Sequence, residues 1–294
     1  MSHKLIHRNK LVGGVLLGTI ASGFAAAAIG SVGTASATCA SISGIGNGNG
    51  CTSTPTSFAV GIGNGTQADA AGLFTGAIAT GTNTTAQSTG SFSLAVAGGS
   101  GSVARTVGNL NLAVAGLGFQ GTPGAGKNLF AQAGTTSGDI GNVAVNLGSS
   151  DNLGQSQVVA TGVGNVAANI GGNANNGKAL TVLAAGLGNA AFNVSGNRNI
   201  VTAVGTGNLA ANIGNDFTFP NGSDNVVEAG TPGNPATLSA AFNINGVNNV
   251  VKAGPGPGAV AGAIFVNDHN GVGTNPPAIT QSGFGVNIKS PLNP

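Results

Sequence analysis

Two segments of this chain repeat one another almost residue for residue: Ala190-Ala191-Phe192-Asn193-Val194-Ser195-Gly196 and Ala240-Ala241-Phe242-Asn243-Ile244-Asn245-Gly246. The likeness continues, with Asn199-Ile200-Val201-Thr202-Ala203 answered by Asn249-Val250-Val251-Lys252-Ala253. With the central Asn as anchor, related copies stand at Asn146, Asn169, Asn193, Asn212, Asn243 and Asn267, spaced by 23, 24, 19, 31 and 24 residues. The longest spacing holds an insertion from Asp216 to Ser223. Each copy is too small to bury a face of its own, so copies must stack.

The columns of the repeat have strand character. Three places before the anchor stand Val143, Val166, Ala190, Leu209, Ala240 and Ile264; one place before stand Val145, Ala168, Phe192, Ala211, Phe242 and Val266. Leu147, Ile170, Val194, Ile213 and Ile244 follow the anchor. Apolar residues at every second position have the period of a strand with one buried face. This reading puts those columns inside. It places the anchor Asn on the other face, with Ala144, Ala167, Ala191, Ala210 and Ala241 two places before it.

A second short strand follows, as in Ile200 to Val204, Val226 to Ala229 and Val250 to Ala253. Gly-x-Gly-Asn or Gly-x-x-Asn turns join the strands, where Gly and Asn tolerate left-handed backbone and stacked Asn amides can form ladders. The expected fold is all-β, a parallel β-helix or β-solenoid with coils of about 20–24 residues. It spans residues 58–270, regular over 138–267, and 271–294 form a Pro-rich tail or cap. Disorder is the competing reading of a chain with 54 Gly in 294 residues, but 41% hydrophobic residues and a mean hydropathy of +0.26 argue against it.

Residues 1–37 read as an address. Lys4, Arg8 and Lys10 precede an apolar run from Leu11 to about Gly33, and Ala35-Ser36-Ala37 supplies the small residues a signal peptidase reads. Cleavage between Ala37 and Thr38 is expected, leaving no membrane span; an uncleaved anchor is the alternative. Cys39 and Cys51 then sit in an exported chain, where one disulfide is expected, making 38–57 a Cys-bridged N-terminal loop. The formal charge of +2 belongs mostly to the address, since six basic and seven acidic residues follow it, net −1.

Gly162-Val163-Gly164-Asn165, Gly186-Leu187-Gly188-Asn189 and Gly205-Thr206-Gly207-Asn208 resemble the Asn/Gly-rich repeats of mycobacterial PE/PPE-type proteins. The family word starts with Asn where this chain has Ala160, Ala184 and Ala203, and the family's helical N-terminal domain is missing here. The resemblance implies an exported, surface-associated protein of an actinobacterium.

Chemistry is sparse. With 5% charged and 4% aromatic residues, no Trp and no Tyr, the chain lacks the basic patch and stacking platform of a nucleic-acid binder. Gly121-Thr122-Pro123-Gly124-Ala125-Gly126-Lys127 has phosphate-loop spacing, but Asn128 replaces the Ser/Thr that would hold magnesium. His269, beside Asp268, is the one histidine after the address.

Asp216, Asp224 and Glu228 flank the insertion and are the candidate ligand or calcium residues. A solvated loop is the simpler reading, with Glu228 facing Lys252 one coil away. No catalytic residue, resident metal or cofactor is expected. The reading is an exported, non-enzymatic β-solenoid, secreted or held at the cell surface or envelope. Its partner is an unidentified envelope, host-surface or glycan component, and coil stacking offers self-association. A polysaccharide-binding or polysaccharide-cleaving β-helix is the alternative.

Overall fold

The computed structural model describes residues 38–47, 49–116, 128–150, 155–174, 178–214, 224–255, 257–264, 270–273 and 279–282. The described residues form strands and turns without a helix, wound into a parallel β-solenoid of stacked coils. Each turn gives one strand to a thirteen-stranded sheet and one to a twelve-stranded sheet. The first, which holds the repeat anchors, is here the anchor sheet. The second is the facing sheet.

The repeat columns are the register of the anchor sheet. Asn146, Asn169, Asn193, Asn212 and Asn243 stand side by side in successive strands, all parallel. The sixth expected anchor fails. Ala263, not Asn267, pairs with Asn243, because the strand Val260–Ile264 enters four residues earlier than the sequence spacing suggests. Asn267 itself lies outside the described residues, as do residues 1–37 and Asp216.

The solenoid is longer and more regular than expected. Gln67, Thr85 and Val103 are in register at 18-residue intervals, so the tightest coils lie before residue 138. Asn270–Gly273 and Ile279–Ser282 add a further strand to each sheet, within the stretch expected as a tail. The expected N-terminal loop is itself strand. Thr38–Ile42 runs antiparallel to Phe58–Ile62 and turns back through Ile45–Gly46, covering the edge that the first parallel strand would leave open. Cys51–Ser53 opens the facing sheet.

One expectation is inverted. The apolar columns face outward, and the Ala and Asn columns form the core. Ala59, Ala77, Ala95, Ala113, Ala144, Ala167, Ala191, Ala210, Ala241 and Ala261 are in register through ten strands, and all are fully buried. Across the interior stand Ala68, Ala86, Ala104 and Ala131, continued by Val158, Val182, Val201, Val227 and Val251, also buried. By contrast none of the described phenylalanines, Phe58, Phe74, Phe92, Phe130, Phe192 and Phe242, is buried.

Coil length is the physical reason. Two strands and two corners in coils as short as 18 residues leave the sheets close together, so the gap is filled mainly by Ala, Ser, Thr, Asn and Val, with Leu129 and Leu180 the largest side chains in it and no described Phe.

Asn fits that gap because its amide is satisfied there. Nδ2 of Asn169, Asn193, Asn212 and Asn243 each donates to Oδ1 of the preceding anchor at 2.9, 2.8, 2.8 and 2.7 Å. A second ladder climbs the corner where the chain enters the anchor sheet. Asn111, Asn142, Asn165, Asn189 and Asn208 are linked coil to coil, each Oδ1 accepting from the next Asn through its backbone N–H and its Nδ2. Ser93, one coil below Asn111, and Ser239, one above Asn208, extend this line with shorter side chains. The Asn of Gly-x-Gly-Asn therefore acts through its side chain, while the glycines carry the left-handed backbone, as at Gly162 (φ 100°) and Gly164 (φ 66°). A Cβ on Gly186 would strike the carbonyl of Gly205 in the next coil.

Candidate functional site

The two described acidic candidates, Asp224 and Glu228, pair with different cations. Glu228 stands on the strand Val226–Ala229, opposite Lys252 on Val250–Ala253, and their side chains pair at 2.8 Å as the sequence suggested. Asp224 accepts from Arg198 Nη2 at 2.8 Å and from Lys178 Nζ at 3.3 Å. Each carboxylate thus has its own cationic partners, whereas hydrolysis of a sugar by two carboxylates requires them to flank one bond. Asp216, Lys127 and His269 lie outside the described residues. Among the described residues no group of three or more His, Cys, Asp or Glu is placed to hold a metal ion.

Asp139 is buried in the loop between the strands Leu129–Ala133 and Val143–Ser150. Burial pushes its carboxyl up. Hydrogen bonds from the backbone of Thr135 and the hydroxyls of Thr161 and Thr136, with a further backbone bond from Thr136, outweigh that and hold the pKa at about 2. Its distances of 2.6 Å to Thr135 N and 2.9 Å to Thr136 Oγ1 in its own loop, and 2.8 Å to Thr161 Oγ1 on the strand Ser156–Val163, leave the carboxylate well satisfied. The carboxylate braces the loop against the strand that carries Thr161.

Cys39 and Cys51 form the expected disulfide. Their sulfurs fill the space a Cβ on Gly61 would need. Gly61 occupies the column continued by Ala79, Ala97, Ala115 and Asn146, so the disulfide plugs the first end of the core. Thr38, the residue expected to follow cleavage, pairs with Ile62 in the capping strand, and Ala37 lies outside the described residues.

What the two sheets do bring together is an apolar surface. Over ten consecutive strands, from Phe58–Ile62 to Val260–Ile264, the outward positions of the anchor sheet carry no charge. Across its middle they read Val143, Val145, Leu147; Val166, Ala168, Ile170; Ala190, Phe192, Val194; and Leu209, Ala211, Ile213. Phe58, Ile170, Leu209 and Ile213 are 40–45% exposed there. The Phe58 ring lies over Gly76 and the Phe242 ring over Gly262, where any Cβ would collide with them, so both rings lie along the face.

The corner leading into the anchor sheet continues the surface with exposed Phe74, Phe92, Leu110, Ile140, Leu187 and Leu238. Phe74 and Phe92 stack there, with ring centroids 5.3 Å apart. The facing sheet differs: Asp69, Gln87, Arg105 and Gln132 form one outward column in register, and Glu228 and Lys252 stand further along.

Comparison with protein-family models, curated proteins and solved structures returned no match to any of them. Sequence reasoning found these apolar columns and turned them inward. The signal that could have corrected it is the Ala column, invariant through ten coils: an exposed position has no reason to refuse larger residues, whereas a narrow interior does.

Proposed function

We propose that this protein is an exported, non-enzymatic β-solenoid of the cell surface or envelope that acts by presenting its apolar outer face to a partner. The observation that carries the reading is that face. Soluble monomers rarely expose a contiguous apolar patch above about 300–600 Å², and larger ones mark interaction surfaces. Ten strands about 4.8 Å apart, each showing some 15 Å of apolar edge, make about 650 Å².

Export is supported by the basic, apolar and small-residue order of residues 1–37 and by a disulfide, which persists in oxidising compartments. The Gly-x-Gly-Asn corners, similar to PE/PPE-type repeats, favour an actinobacterial source. A non-enzymatic role is supported by the ion pairing of Asp224 and Glu228.

Fractionation of the producing cell tests the reading. The protein is expected in the envelope or the medium with Thr38 at its N-terminus. An intact Met1 in the cytosol contradicts export, and sustained release of reducing ends from a polysaccharide contradicts the non-enzymatic role.

A further inference from the structure

We infer that the occupant of the apolar outer face is a second copy of this chain, docked face to face. The inference deepens the interaction-surface reading above and rests on it. Three observations select this partner.

The first is area. About 650 Å² from each copy gives about 1,300 Å² in all, within the 1,200–2,000 Å² that stable protein pairs bury. The second is charge. With no ionised outward residue on the ten anchor-sheet strands, a copy turned onto itself brings no like charges together and buries none unpaired.

The same feature argues against a lipid surface. Interfacial binding uses Lys and Arg flanking an apolar face, with aromatic residues at the headgroup level. Here Arg105 and Lys252 project from the opposite sheet, and the chain has no Trp or Tyr. The third is shape. Phe58 and Phe242 lie along the sheet over Gly76 and Gly262, so the face is one on which a second sheet can rest, as in a β-sandwich.

A two-fold axis makes such an interface self-complementary, and full overlap puts the axis at the middle of the ten strands, beside Val145 and Ala168. This differs from end-to-end stacking of coils, whose first end is closed by the antiparallel strand Thr38–Ile42.

Sedimentation equilibrium of the purified protein over a hundredfold range of concentration tests it. The expected species is a dimer. V145D and F192D are each expected to raise its dissociation constant at least tenfold, and Q132K on the facing sheet to leave it unchanged. Circular dichroism identifies any variant that does not fold. Should the aspartate variants fail in this way, V145C decides, because overlap about the axis brings the two copies of position 145 together and oxidation should give a covalent dimer. A monomer at every concentration overturns the proposal, even where fractionation upholds the surface location. So does a dimer indifferent to all three substitutions. Flotation of monomers with phosphatidylcholine vesicles would replace the second copy with a lipid surface.

Discussion

Asn212 donates from Nδ2 to Oδ1 of Asn193 across 2.8 Å, one coil apart, with both side chains fully shielded from solvent. The same Oδ1 also accepts from Asn199 Nδ2 at 3.0 Å, tying the anchor ladder to the corner that enters the facing sheet. N193A leaves two buried donors unpaired and opens a void, which should lower unfolding free energy by about 2–4 kcal/mol. N193D keeps the Oδ1 acceptor but puts an oxygen where Nδ2 donated to Asn169 and buries a charge, so it should be at least as damaging. Denaturant titration of both variants measures this.

Ala191 and Phe192 are neighbours in sequence and face opposite ways. A191L forces extra carbons into a fully buried position that is Ala in ten successive strands and should cost about 1–3 kcal/mol or more, whereas F192L changes an outward residue and should cost under about 1.5 kcal/mol. Thermal unfolding of the pair discriminates the two orientations, since outward Ala with inward Phe would reverse the order.

Asp139 gives the fold an acid-sensitive brace. Its folded pKa, about 2, lies below the ordinary aspartate value of 3.8, so its contribution is fully present above the unfolded value and is lost as pH falls through the folded one. The wild type should lose about 2 kcal/mol between roughly pH 5 and pH 1 through this group, and D139N should show a flatter dependence. Unfolding free energy against pH, measured for both proteins, gives the difference directly.

Replacing Cys39 and Cys51 together by Ser removes the plug over Gly61. On the chain-entropy model a short loop of this kind is worth about 3 kcal/mol. Because coils interact mainly with their neighbours, the loss should be local: backbone amides of the coils before Asn83 should exchange faster, while those beyond Val143 keep their protection.

The architecture could be read from the sequence because stacking repeats a column in every coil. Val143, Val166, Ala190, Leu209 and Ala240 do lie side by side, and Glu228 does meet Lys252. Period two fixes which residues share a face but not which face is inside. The usual rule, large apolar side chains inward, fails here because the narrow interior is filled mostly by Ala, Val and Asn, with Leu129 and Leu180 its largest members, and because Asn amides satisfy one another along the stack. Asn267 was misplaced for a different reason. The turn before Val260 shortens the coil to 20 residues, and Ala263 occupies the anchor position without the Asn that identified the others. Of the acidic candidates, Asp224 and Glu228 turn to different cationic partners, while Asp216 lies outside the described residues.

The orientation of the Asn ladder decides the core, the outer face and every proposal built on them. Hydrogen exchange of the Asn side-chain amides, followed by NMR on protein labelled with ¹⁵N-asparagine, tests it most directly. The Nδ2 protons of Asn169, Asn193, Asn212 and Asn243 should exchange as slowly as the backbone amides of their own strands, opening only when coils separate. Exchange at the rate of free, solvated amides would put the Asn column outside and the apolar columns within, and would contradict the account.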